Sequence, residues 1–191
     1  MGLGKTAQAI RSANAVGAQF RLAVVPSILK DKWAREIDQW CVDEWELLLL
    51  EGDRKVRDKD LDEFLFPMTP SRKSKLPATK VYYLIISYEQ LRIHGTQVSS
   101  REWDFIVFDE SHRMKDKSTK TFKAARRLKA ATLLFMTGTP IINHAYDMWT
   151  SLRMIDKDEF GSFWKFCYRY CEVYNNGFGM EVGVTVNPDR L

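Results

Sequence analysis

Lys5 and Thr6 follow directly on Gly2, Leu3 and Gly4, and this run, MGLGKT, has the residue types of a phosphate-binding loop. Glycines let backbone N–H groups turn inward around phosphate oxygens. A lysine reaches the outer phosphates, and a Ser or Thr hydroxyl can ligate Mg²⁺. The alternative is a glycine-rich turn with a surface lysine. A second group is Asp109-Glu110-Ser111-His112, behind the apolar run DFIVF. Adjacent carboxylates at the end of a buried strand suit a Walker B site. There Asp109 would hold Mg²⁺ through water, and Glu110 would orient and deprotonate the attacking water. Taken alone, a polar turn explains the pair equally well. A third group, Met136-Thr137-Gly138-Thr139-Pro140, sets small hydroxyl residues where they can bond a neighbouring motif and relay nucleotide state. By itself it reads only as a tight turn.

These groups need a scaffold, and the pattern supplies one. Helices are expected over 6–18, 28–40 with Ser27 as cap, 53–66, 118–128 and 145–154. Strands are expected over 21–25, 46–50, 81–87, 104–108 and 133–136. Strands alternating with helices imply an α/β fold, a three-layer sandwich on a mainly parallel sheet. Ligands of such sheets gather at the carboxyl ends of the strands, where Pro26-Ser27, Asp109-Glu110 and Thr137-Gly138-Thr139 all fall. A P-loop leaves the end of a buried strand, and no residue before Gly2 can form one. The chain is therefore read as cut through an ATPase, with its first strand missing and Met1 internal. The expected organisation is a lobe over 1–158 and an aromatic-rich, partly ordered tail over 159–191. The stretch 67–77, with three prolines, reads as an exposed loop.

Composition bounds the class. The 191 residues are 45% hydrophobic and 28% charged, enough for one sizeable core. A net charge of +4 does not establish a nucleic-acid partner. Three scattered cysteines exclude a disulfide framework and fit a reduced intracellular compartment. Cys167 and Cys171 have no Cys or His pair to complete a metal site. No apolar run reaches membrane-spanning length, so no membrane partner is expected. Trp33 and Trp40 share a helical face and read as core.

The set MGLGKT, VVPSILKDKWAREIDQW, YLIISYEQL, FIVFDESHRMKDKSTKTFKAARRL and LLFMTGTPIINHAYDMWTSL resembles the Swi/Snf-type ATPases, a branch of superfamily-two helicases. The resemblance runs from Met1 to about Ile155 in motif order. It implies the N-terminal RecA-like lobe of a DNA-stimulated ATPase that translocates on double-stranded DNA and remodels protein–DNA complexes or branched DNA. It implies ATP and Mg²⁺ as cofactors, with Gly2, Leu3, Gly4, Lys5 and Thr6 on the phosphates, Thr6 and Asp109 on the metal, and Lys5, Asp109 and Glu110 in catalysis. His112, Thr137, Gly138 and Thr139 would couple nucleotide to DNA. Pro26, Ser27, Lys32, Ser87 and Tyr88 would lie near the DNA backbone. The second lobe, with its arginine finger, is absent from this sequence, so the isolated chain should hydrolyse ATP barely. Ser111 and Ile142 depart from the family's usual Ala or Gly and Gln. A non-hydrolysing binding lobe from a split gene and part of a strand-separating helicase stand as alternatives. Bacterial or phage members would be cytoplasmic, eukaryotic ones nuclear.

Overall fold

The computed structural model describes residues 4–65, 80–139 and 144–186. Gly2, Leu3, Ile142 and the expected loop over 67–77 lie outside these residues. Seven helices and seven strands follow one another among the described residues: α1 (Lys5–Ala15), β1 (Phe20–Val25), α2 (Lys30–Trp40), β2 (Glu44–Leu49), α3 (Arg54–Leu65), β3 (Lys80–Ser87), α4 (Tyr88–Val98), β4 (Glu102–Asp109), α5 (Lys120–Ala125), β5 (Lys129–Met136), α6 (Trp149–Ile155), α7 (Phe163–Tyr170), β6 (Cys171–Asn175) and β7 (Met180–Thr185). The main sheet has the order β2-β3-β1-β4-β5, and every pairing in it is parallel.

Alternation along β1 explains the layers. Phe20, Leu22 and Val24 point into one core with α3, α4 and α5, around Leu61, Leu91, Val98, Trp103 and Phe108. Ala23 and Val25 point the other way, into a second core with Ala9, Ile10 and Ala13 of α1 and Trp33 and Ile37 of α2. Both faces of the sheet are thus covered, as continuous apolar strands such as VYYLIIS require. The result is the expected three-layer α/β sandwich. The buried Arg21 is accommodated in β1 because Tyr83, Asn14 and the Ala18 carbonyl accept from its guanidinium.

Several elements differ from the sequence reading. Ser27 opens a 3-10 turn, Ser27–Leu29, and does not cap α2 with its side chain. The basic helix is shorter than expected. Thr119 accepts from the Phe122 amide and fixes the start of α5, while an Asp116 turn holds Ser118 outside it. The single helix expected over 145–154 is a 3-10 turn, Ala145–Met148, followed by α6. The segment after Phe160, expected as a partly ordered tail, carries α7 and the β6–β7 hairpin in its described part. Phe166, Tyr170 and Cys171 pack with Phe122, Ala145 and Trp149 into a third core, on which the β6–β7 hairpin rests. Asn175 and Asn176 carboxamides hold the hairpin turn by accepting from the amides of Gly177, Phe178 and Gly179. Among the described residues, no helix is long and apolar enough to cross a membrane.

Candidate nucleotide site at the carboxyl ends of the strands

The parallel sheet brings Lys5, Asp109, Glu110, His112, Thr137 and Gly138 together from three distant stretches of chain. Gly4 caps α1 with φ 65°, a left-handed conformation that glycine adopts freely. The first amides of α1 therefore open onto the site, and a helix N-terminus favours an anion. The Lys5 ammonium extends from that turn to within 3.2 Å of Glu110 Oε1. Thr6, the next residue, is buried.

β4 carries Asp109 to its end, and Glu110 turns the chain. Glu110 is the only non-glycine residue with positive φ among the described residues, at φ 52°. A left-handed non-glycine backbone costs about 1–3 kcal/mol. The Glu110 amide donates to Asp109 Oδ1 at 3.0 Å, and the Glu110 carbonyl accepts from the Arg113 amide at 3.1 Å. These bonds hold the turn and aim the carboxylate back across the sheet end toward β5. There the Gly138 amide donates to Glu110 Oε2 at 3.4 Å. Burial pushes the Glu110 carboxyl up. The Lys5 hydrogen bond, the Gly138 amide and the charges of Lys5 and His112 outweigh it, leaving the group below its usual range. Glu110 is thus held ionised, the form that a proton acceptor needs.

His112 Nδ1 lies 3.0 Å from Thr137 Oγ1 and 3.4 Å from Glu110 Oε2. The Thr139 amide donates to the same Thr137 hydroxyl at 3.1 Å. Thr137 therefore joins the strand end of β5 to the turn behind β4.

Asp109 is 5% exposed and more tightly held than its neighbour. Its Oδ2 accepts from Trp33 Nε1 at 3.0 Å, and its backbone carbonyl accepts from the Tyr88 hydroxyl at 2.7 Å. The sequence placed Trp33 in the core. The side chain is buried, but its indole N–H ends on the site, a contact that helical spacing alone does not reveal.

The segments expected near DNA divide. Ser27 and Lys32 are exposed at the carboxyl end of β1, while Pro26 is buried. Ile28, which the sequence reading passed over, is 87% exposed beside them. Ser87 and Tyr88 are each 3% exposed. Ser87 Oγ accepts from the Gln90 amide, and the Gln90 side chain accepts from the Ser87 amide, a reciprocal cap on α4. Their side chains serve the protein interior, so this segment can offer a ligand only backbone or its neighbours.

The donor set fits MgATP. A helix N-terminus and a lysine suit phosphate oxygens, and the Thr6 hydroxyl and Asp109 carboxylate are hard oxygen donors. Mg²⁺ is commonly held by one or two protein oxygens, with phosphates and water completing its shell. No cluster of three or more His, Cys, Asp or Glu residues able to hold a metal occurs among the described residues.

A family model described as the SNF2-related domain matches residues 1–177. The chain is 33% identical over 154 residues to a Danio rerio protein named DNA excision repair protein ERCC-6-like, covering 78% of this chain and 10% of that one. It is 28% identical over 200 residues to the Drosophila melanogaster SWI/SNF-related matrix-associated actin-dependent regulator of chromatin subfamily A-like protein 1, covering 100% of this chain and 23% of that one. The chain thus spans no more than about a quarter of either relative's length. Among solved structures, the Sulfolobus solfataricus SWI2/SNF2 ATPase core in complex with dsDNA superposes with a TM-score of 0.66 at 26% identity, over 89% of this chain and 33% of that one. With the motif order, the parallel sheet and the family match in agreement, the chain belongs to the SNF2-related family.

Proposed function

We propose that this chain is the nucleotide-binding lobe of a DNA-dependent ATPase that translocates on double-stranded DNA and remodels protein–DNA complexes or branched DNA. The observation that carries this reading is the convergence of Lys5, Glu110, His112 and Thr137 within hydrogen-bonding distance at one end of the sheet. The SWI2/SNF2 ATPase core solved with dsDNA supports the choice of duplex.

In this reading Gly2, Leu3, Gly4 and Lys5 bind the phosphates, and Lys5 exchanges Glu110 for phosphate oxygen. Thr6 and Asp109 hold Mg²⁺, which neutralises charge on the phosphates when bound. Glu110 orients a water on the γ-phosphorus and takes its proton as the new P–O bond forms and the bond to the ADP oxygen breaks. Thr137, Gly138, Thr139 and His112 report the state of Glu110 to β5. Ser27 and Lys32 meet the phosphate backbone, giving affinity without sequence reading. Residues 1–158 form the lobe, and a second lobe completes the catalytic cleft and supplies the arginine that speeds transfer.

The test is ATP turnover by the full open reading frame, with and without linear duplex, for wild type and Glu110→Gln. Duplex should raise turnover, and Glu110→Gln should lower it by about 10²–10⁴-fold while nucleotide still binds. Displacement of a third strand from a triplex, without unwinding of a forked duplex, would support translocation. Wild-type nucleotide binding without any duplex-stimulated turnover would leave a binding lobe instead. Unwinding of the fork would assign a strand-separating helicase.

A further inference from the structure

Asp109 is held by two side chains, one beside the proposed DNA contact Lys32 and one at the start of α4. Trp33 directly follows the exposed Lys32 in α2. Tyr88 directly follows Ser87 at the start of α4. The Trp33 indole N–H bonds the Asp109 carboxylate, and the Tyr88 hydroxyl bonds the Asp109 backbone carbonyl. The two segments are also tied to each other. Lys30 Nζ and Gln90 Nε2 both donate to the Leu50 carbonyl, at 2.5 and 2.6 Å.

Rigidity makes this arrangement a transmitter. Trp33 is 1% exposed and Tyr88 3%, so neither ring can shift alone without opening a void. An indole N–H only donates, and it fixes one oxygen of the carboxylate in direction. The Glu110 amide fixes the other oxygen. The carboxylate orientation therefore depends on where α2 sits, and the backbone position of Asp109 depends on where α4 begins.

We infer that Trp33 and Tyr88 are positioning residues that convert displacement of α2, which carries the proposed DNA contact Lys32, and of the start of α4 into reorientation of Asp109, and so set its fitness to hold Mg²⁺. The inference rests on the proposed reading of the site, and one arm of its test does not require turnover. Partners of metal-ligating groups typically change affinity or activity by about 10–100-fold when removed.

The variants are Trp33→Phe, which deletes the N–H but keeps a ring, and Tyr88→Phe, which deletes only a hydroxyl. Both are made in the full reading frame and checked by thermal unfolding. The first arm follows a fluorescent ADP analogue titrated with Mg²⁺ in the absence of DNA. Each variant should raise the half-saturating Mg²⁺ by about tenfold. The second arm compares duplex-stimulated with basal turnover and measures duplex affinity. The stimulation ratio should fall several-fold while the duplex dissociation constant holds. Unchanged Mg²⁺ dependence in both variants would overturn the inference, as would a loss of stimulation matched by an equal loss of duplex affinity. If Trp33→Phe does not fold, Tyr88→Phe decides through the same two arms. A wild type without duplex stimulation would refute the translocase reading, while the Mg²⁺ arm would still decide whether Trp33 and Tyr88 position Asp109.

Discussion

Lys5 Nζ and Glu110 Oε1 stand 3.2 Å apart across 105 residues of sequence, closing the site with an internal ion pair. The pair joins the first turn of α1 to the end of β4. The lysine expected on phosphate and the carboxylate expected on water therefore neutralise each other until a ligand separates them.

This pair predicts a pH dependence. The Glu110 carboxyl is held below its usual range, so the stability it contributes is complete at neutral pH and is lost as pH falls through the lowered value. Both side chains are partly exposed, so the pair is worth at most about 1 kcal/mol. Lys5→Met should return the Glu110 titration toward the ordinary carboxylate range, measured by NMR on labelled glutamate. The Tm gap between wild type and Glu110→Gln should narrow on acidification. An unchanged Glu110 titration in Lys5→Met would show that other groups set it.

Phe108 is fully buried one residue before Asp109 and stacks on Phe135 of β5 with centroids 5.1 Å apart. Phe108→Ala should cost about 3–5 kcal/mol through lost burial and a residual cavity. Denaturant unfolding would measure it. A loss below 1 kcal/mol would mean that the neighbouring rings collapse into the space.

Ser87 caps α4 by accepting the Gln90 amide. Ser87→Ala should cost about 0.5–2 kcal/mol of stability. Because the side chain is buried, duplex affinity should change less than for Lys32→Ala, which removes an exposed cation. Fluorescence anisotropy at two salt concentrations would compare them. A larger loss for Ser87→Ala would mean that its hydroxyl meets DNA directly.

The three cysteines should differ in reactivity. Burial, with the nearby Cys171 adding and Lys117 opposing, pushes the Cys167 thiol up to about 12, and burial also raises Cys171. Cys41 is partly exposed. In the native protein an aromatic disulfide reagent at pH 8 should label Cys41 first and leave Cys167 and Cys171 unmodified. All three should react in denaturant. Rapid native labelling of Cys167 would mean that the third core opens readily.

The sequence by itself determined the scaffold and pointed to a chemistry. MGLGKT, with Asp109-Glu110 downstream of it, points to phosphate and metal chemistry, since a polar turn explains the acidic pair only when it is taken alone. Runs such as VYYLIIS and DFIVF fixed a buried parallel sheet, since continuous apolar strands require cover on both faces. Tertiary structure alone decided which groups touch. Trp33 and Tyr88 share Asp109, and Ser87 turns inward, because the strand order sets α2 and α4 against the end of β4. The third core was equally hidden, since Phe122, Trp149 and Phe166 lie far apart in sequence and meet only through packing. Local pattern reports the conformation of a segment and the face it buries. Contacts between distant segments depend on sheet order and register, which no local window contains.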